Sequence, residues 1–236
     1  MLFRSGNVLI LVALRKDSSL HPPSKLLYRC LATTDLMVGL FAQPLYTLYW
    51  MFVFNEHWSL CRYAIAAANV TGFALWGVSL LTMTAISVDR LLALLLGLRY
   101  KQTVTLKRTY IIVVTFCVVP LIPSVCGIIF DNRITYLHGW IVTPSCLVIS
   151  FASYTKIFRT LSHRHAQVQD HFQQHPSQPN ALNMARYRKA VYGALWVQLA
   201  LVICHAPFGL VKIVSAQSKT YSSNLVIIRG VAVVLL

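Results

Sequence analysis

"YAIAAANVTGFALWGVSLLTMTAISVDR", residues 63–90, runs for 26 residues without a formal charge and then meets Asp89 and Arg90 side by side. Roughly 18 uncharged residues are enough for a helix to cross the hydrocarbon of a bilayer. Further uncharged runs occupy 109–130, 134–155 and 190–211, and a fifth at 30–54 carries one charge, Asp35. The chain is 57% hydrophobic and 11% charged, with a mean hydropathy of +0.63. That leaves too little polar surface to cover a water-soluble globule. A large soluble protein can bury one such helix, but this chain has no amphipathic helices left to shield four or five. The solvent that fits is lipid, and the fold class expected is an all-α membrane protein.

The ends read differently from the middle. "VLILVAL" at 8–14 and "NLVIIRGVAVVLL" at 224–236 are apolar but too short or too interrupted to span alone. They are expected to be incomplete first and seventh helices, the chain being cut at both ends. Helices are predicted near 5–15, 26–54, 61–96, 108–130, 137–161, 186–213 and 223–236. The stretch "SSLHPPSK" at 18–25 is expected to be a turn, because consecutive prolines cannot continue a helix. Residues 162–185, rich in Gln and His, are expected to form a mobile cytoplasmic loop. Pro44, Pro120, Pro123, Pro144 and Pro207 fall inside the spans, where they are expected to kink their helices.

The net charge of +15 is placed with a period. Counting Arg90, fifteen of the 21 basic residues lie at 15–29, 90, 97–108 and 156–189. The intervening loops hold few, so every second connection is basic. Lys and Arg in short loops stay on the cytoplasmic side, and this alternation requires seven spans with an outside N-terminus. A nucleic-acid surface would gather its cations on one face instead, so no nucleic-acid partner is expected. Five cysteines lie inside apolar runs, where thiols act as small hydrophobes, and no disulfide framework is expected.

Asp35 sits in the middle of an apolar run. An ionisable group at that depth costs several kcal/mol unless it is partnered or hydrated, which marks it as functional. Asn7 and Ser79 fall at similar depth, and the three could hydrate a small cation.

Several fragments then resemble one family. "GN" at 6–7, "LATTDL" at 31–36, "SVDRL" at 87–91 and "CHAP" at 204–207 resemble, in order and depth, the motifs of rhodopsin-like G-protein-coupled receptors. "LRYKQTVTLKR" at 98–108 is similar to the second inner loop of the adenosine and melanocortin receptors. The resemblance implies a seven-transmembrane bundle in the plasma membrane, a receptor rather than an enzyme, with an extracellular ligand and a heterotrimeric G protein as partners. It implies that Asp89, Arg90 and Leu91, with the basic helix-six start Arg186, Arg188 and Lys189, form the coupling switch. Asp89 would hold Arg90 at rest, and the released fork of donors would meet carbonyls of a G-protein helix. Asn7, Asp35 and Ser79 would form the polar core, with an allosteric sodium ion and no other cofactor or metal. Cys204, His205 and Pro207 would be the activation hinge.

Departures from the pattern narrow the ligand. Leu91 replaces the motif tyrosine, Tyr187 stands where many members carry an acid that locks the arginine, and His205 replaces the toggle tryptophan. Amine receptors place an aspartate eighteen residues before the motif arginine; here that position is Gly72. A biogenic amine is therefore excluded, since a buried ammonium without a counter-ion is costly. Lys212 and Arg229, near the outer ends of their helices, point to an anionic ligand. Other readings use parts of the same pattern. "HFQQH" at 171–175 has the spacing of a metal-binding helical pair, as in a membrane enzyme. Asp35 with Pro-interrupted helices would suit a transporter, and a truncated receptor would keep the fold without signalling.

Span parity makes a direct prediction. Single cysteines introduced into cysteine-depleted protein at 97–108 should react with an impermeant maleimide only after cells are permeabilised, and one placed at 55–57 should react in intact cells. Labelling of 97–108 from outside would overturn the topology.

Overall fold

A computed structural model describes residues 2–16, 20–130, 132–172 and 196 of the chain. The chain divides into two compact units, 1–157 and 158–236, and all the packing below lies within the first. The expected helices 186–213 and 223–236 lie outside the described residues.

The described residues fold as helices joined by short turns. Helix α1 is Leu2–Lys16. Helix α2 runs over Pro22–Phe54, α3 over Trp58–Leu96, and α4 over Leu106–Ile129. Helix α5 is Asn132–Phe172. Four of these are long and apolar enough to cross a membrane. Backbone groups in hydrocarbon find no water, so helices that bond every N–H internally are the form such segments take.

Boundaries differ from expectation in two places, for identifiable reasons. Pro22 and Pro23 begin α2 and do not belong to a turn before it. Proline cannot continue a helix but suits its first positions, where the missing N–H had no partner to lose. Helix α5 continues to Phe172, eleven residues into the expected loop 162–185. Nothing in "SHRHAQVQDHF", 162–172, stops it: the stretch lacks Gly and Pro, and Ala, Gln and Arg are good helix formers.

At Pro44, where a kink is expected, the structure shows a π-turn. The turn, Val38–Ala42, precedes the proline, and the α-helix resumes at Gln43. Proline removes one donor and its ring crowds the preceding turn; a widened turn accommodates both.

Helix α3 is the centre of the unit. Of its apolar window 44% is buried, against 11% for α2, 17% for α4 and 28% for α5. Many of its inward residues are small or hydroxylated: Ala68, Ala74, Gly77, Thr82 and Ser87 are all buried, beside Val78, Leu80, Met83 and Ile86. Lipid tails are as apolar as leucine, so helices in a membrane associate by close packing and hydrogen bonds, for which small residues are needed. Two contacts show how close. A Cβ at Gly77 would lie 2.5 Å from Cβ of Pro120 on α4. A Cβ at Gly127 would collide with the Thr135 hydroxyl of α5, which donates to the Pro123 carbonyl at 2.8 Å. Large apolar side chains point the other way, among them Tyr110, Ile111, Ile122, Val148 and Phe151, all exposed. These are the surfaces that lipid covers.

Beyond α3 the chain turns sharply. Gly97 has φ 50° and ψ −112°, a backbone that L side chains rarely adopt. A 3₁₀ turn Gly97–Arg99 and one α-turn Tyr100–Thr103 follow.

The α3–α4 contact yields a stability test. Gly77→Leu in the full-length protein should lower the detergent melting temperature by several degrees, a cost of about 1–3 kcal/mol for overpacking. Gly6→Ala should not lower it, since nothing lies within 4 Å of a Cβ there and alanine is the better helix former.

Candidate functional site

Asp89 and Arg90 lie near the C-terminal end of the 39-residue α3. At 1.5 Å per residue they are about 46 Å from its start, beyond a hydrocarbon core of about 30 Å. They therefore lie near a water boundary, at the opposite end of α3 from Trp58. Neighbouring residues on a helix leave it about 100° apart and do not face each other. The two charges accordingly turn to different partners.

Asp89 points inward and is 5% exposed. Its Oδ1 accepts a hydrogen bond from the Tyr100 hydroxyl at 2.6 Å, and its Oδ2 accepts one from Ser24 Oγ at 2.8 Å. The two hydroxyls are themselves 3.0 Å apart. Ser24 lies in the first turn of α2, so the carboxylate also meets the positive end of that helix. Tyr100 arrives from the turn that Gly97 permits, and the His21 ring stacks obliquely on it at 5.2 Å. One buried carboxylate thus joins the start of α2, the end of α3 and the loop between α3 and α4. Burial, and next the bond to Asp89, push the Tyr100 phenol up to about 12. It remains a proton donor across the physiological range.

Arg90 turns toward α2. Its Nε and Nη2 donate to the Tyr28 hydroxyl at 3.3 and 3.2 Å, and the guanidinium lies 5.3 Å from the centre of the Tyr28 ring. A charge over an aromatic face, with a neutral phenol as acceptor, is a softer hold than a carboxylate. Leu91 beside it is half-buried.

A second polar cluster lies deeper. Ser79 Oγ is 3.1 Å from both Asp35 Oδ1 and Thr34 Oγ1, which joins α2 to α3 in mid-membrane. Thr34 in turn donates back to the carbonyls of Leu31 and Cys30. Asn7 is buried on α1 but makes no hydrogen bond to Asp35 or Ser79 among the described residues. The structure thus brings together two of the three residues expected at the polar core.

Gly72 is half-buried, and a Cβ there would meet the Tyr46 ring of α2 at 3.4 Å. The Tyr46 hydroxyl donates to Asn69 Oδ1 at 3.2 Å. An aromatic ring, not a counter-ion, therefore faces the position where amine receptors carry their acid. Arg186, Arg188, Lys189, Cys204, His205, Pro207, Lys212 and Arg229 lie outside the described residues.

Ser24, Tyr28, Thr34 and Tyr100 were not singled out from the sequence. All four carry hydroxyls near an acid or a cation, but hydroxyls are common in this chain and their partners follow from packing. The signal that could have found Tyr100 is Gly97, which announces a reversal soon after the end of a long helix.

The chain matches the family described as 7 transmembrane receptor (rhodopsin family) over residues 6–138. It is similar to melanocortin receptor 5 of Mus musculus, with 25% identity over 233 residues that cover 92% of this chain and 67% of that protein. Melanocortin receptor 5 of Homo sapiens is 26% identical over 215 residues, covering 86% of this chain and 62% of the relative. Adenosine receptor A2b of Rattus norvegicus is 35% identical over 101 residues, 43% of this chain and 29% of that receptor. The chain thus spans about two thirds of the length of the melanocortin relatives.

The carboxylate junction should be measurable by a double-mutant cycle on melting temperature. Tyr100→Phe and Ser24→Ala each withdraw a donor from a buried carboxylate and should cost about 1–3 kcal/mol, with a double-mutant loss smaller than the sum. Because the phenol is raised in the folded state, its contribution is complete below its ordinary value near 10 and fades as pH climbs through about 12. The Tyr100→Phe deficit should therefore stay constant between pH 6 and 9; a deficit that varies across that window would contradict the assignment. With its apolar spans, its carboxylate junction at Asp89 and the match over residues 6–138, this chain belongs to the rhodopsin family of 7 transmembrane receptors.

Proposed function

We propose that this protein is a plasma-membrane receptor, N-terminus outside, that senses an extracellular ligand and activates a heterotrimeric G protein through the inner end of α3. It performs no chemistry on its ligand. The observation that carries the reading is the division of labour between Asp89 and Arg90. Asp89 is committed to Ser24 and Tyr100, so its charge organises the inner loop. Arg90 is held by Tyr28, whose ring and hydroxyl can be exchanged for the backbone carbonyls of an entering helix at modest cost.

Activation is then a shift between two arrangements of the inner ends, with helix six moving about Pro207 and its basic start Arg186, Arg188 and Lys189 joining Arg90 in the opened cavity. Asp35 and Ser79 link α2 to α3 through mid-membrane, and with Asn7 they are the residues to hold a sodium ion that would bias the same equilibrium. Gly72 against Tyr46 argues against a biogenic amine. Lys212 and Arg229 favour an anionic ligand, such as a carboxylate or a lipid phosphate.

Nucleotide exchange on a panel of G proteins, measured with the full-length receptor, tests the reading. Arg90→Ala should abolish exchange, and Tyr28→Phe, which keeps the ring but removes the acceptor, should raise resting exchange several-fold. Charge reversal at Lys212 and Arg229 should lower the potency of an anionic agonist at least tenfold. Full exchange by Arg90→Ala on every G protein engaged would refute the assigned role. Exchange on none by the unaltered receptor would favour a non-signalling partner of other receptors.

A further inference from the structure

We infer that Thr84 of α3, gripped by Cys146 and Ser150 of α5, is a positioning residue that keeps the two helices in the arrangement in which Tyr28 retains Arg90, a role that presupposes the proposed coupling function of Arg90. All three gripping side chains are buried, and none belongs to the Asp89 junction or to the Asp35 cluster. Cys146, expected from the sequence only to fill space, becomes a hydrogen-bond donor.

A hydroxyl offers one proton and two lone pairs. The Thr84 proton goes to the Leu80 carbonyl of its own helix at 2.9 Å. Ser150 Oγ donates to Thr84 Oγ1 at 3.4 Å, and the Cys146 thiol makes a second side-chain hydrogen bond to the same hydroxyl. The oxygen is thereby saturated, with both outside donors on α5. A helical threonine needs only the bond to its own backbone, as Thr115 on α4 shows. The two bonds from α5 therefore serve the contact between helices and not the satisfaction of the Thr84 proton.

Residues four apart share a face of a helix and lie about 6 Å apart along its axis. One acceptor between two such donors fixes two movements: sliding α5 along α3 stretches one bond or the other, and turning α5 about its axis stretches both. Hydrocarbon supplies no water to replace them. Along the same seam Tyr154 of α5 hydrogen-bonds to Ser87, whose own proton goes to the Met83 carbonyl at 3.0 Å. Tyr154 lies near enough to Tyr28 and Arg90 to interact electrostatically with both. A displacement of α5 that breaks the grip on Thr84 thus reaches the hold on Arg90.

The test uses full-length receptor in nanodiscs without ligand and has two readouts. Nucleotide exchange by added G protein reports resting activity. Spin-label distances between unnatural residues at Leu95 of α3 and Lys156 of α5, both exposed, report the helices and leave Cys146 in place. Thr84→Val, which keeps the shape and removes the acceptor, should shift or broaden the distance and raise resting exchange several-fold. Thr84→Ser should keep both at the level of the unaltered receptor. Cys146→Ala with Ser150→Ala should reproduce Thr84→Val, and adding Thr84→Val to that pair should change nothing further, since one interaction is removed twice. An unmoved distance in Thr84→Val, even with a lowered melting temperature, would reduce Thr84 to packing and overturn the inference, as would equal changes in Thr84→Ser. A shifted distance with unaltered exchange would uphold the grip and count against the coupling role of Arg90 alone.

Discussion

A carboxylate withdrawn from water must be solvated by the protein around it, and at Asp89 that task falls to two hydroxyls from distant parts of the chain. Ser24 is 65 residues before it and Tyr100 eleven after. Because the charge would be costly to bury without them, each donor constrains the backbone that carries it. The start of α2 cannot drift from α3 without losing Ser24, and the loop after α3 cannot unfold without losing Tyr100. The inner architecture of the unit follows from this one requirement.

The membrane supplies the complementary constraint. Since lipid gives apolar side chains little reason to turn inward, the interior of the unit mixes small and hydroxylated residues such as Ala68, Thr82, Ser87 and Ser150 with a few large ones such as Leu27, Met83 and Ile86, while many large residues of α4 and α5 face out. Among the described helices α3 collects more small inward residues than any other, and α2 and α4 both pack against it. The same logic accounts for Gly77 against Pro120, where a proline that weakens its own helix presents a ring to a neighbour with no side chain to obstruct it.

The spans were legible in the sequence because the signal for crossing hydrocarbon is simple: a long absence of charge, with cations at alternate ends. Asp35, Asp89 and Arg90 were legible for the same reason, as exceptions in that pattern. Ser79 was expected beside Asp35 and lies there. What sequence could not supply was direction. Asp89 and Arg90 are adjacent in the chain, which suggests a pair, yet adjacent helical side chains diverge and each finds a hydroxyl of another segment. The Pro-Pro start of α2 and the run of α5 to Phe172 were misjudged through local rules. Proline was read as a terminator where it also initiates, and a polar composition was read as loop where no residue actually breaks the helix.

The π-turn in α2 has a consequence for how that helix can change. The π-turn adds about one residue to its turn, so the half of α2 from Gln43 to Phe54 is out of phase with the half from Pro22 to Met37 by about 100°. It is this phase that brings Tyr46 against Asn69 and Gly72 of α3. Loss or gain of a single residue between Val38 and Ala42 would swing the outward-facing half to a new azimuth while Ser24, Tyr28 and Asp35 kept theirs. The two ends of one continuous helix can therefore diverge independently, the half that carries Tyr46 re-aimed for a different visitor and the half that carries Ser24 left as it was.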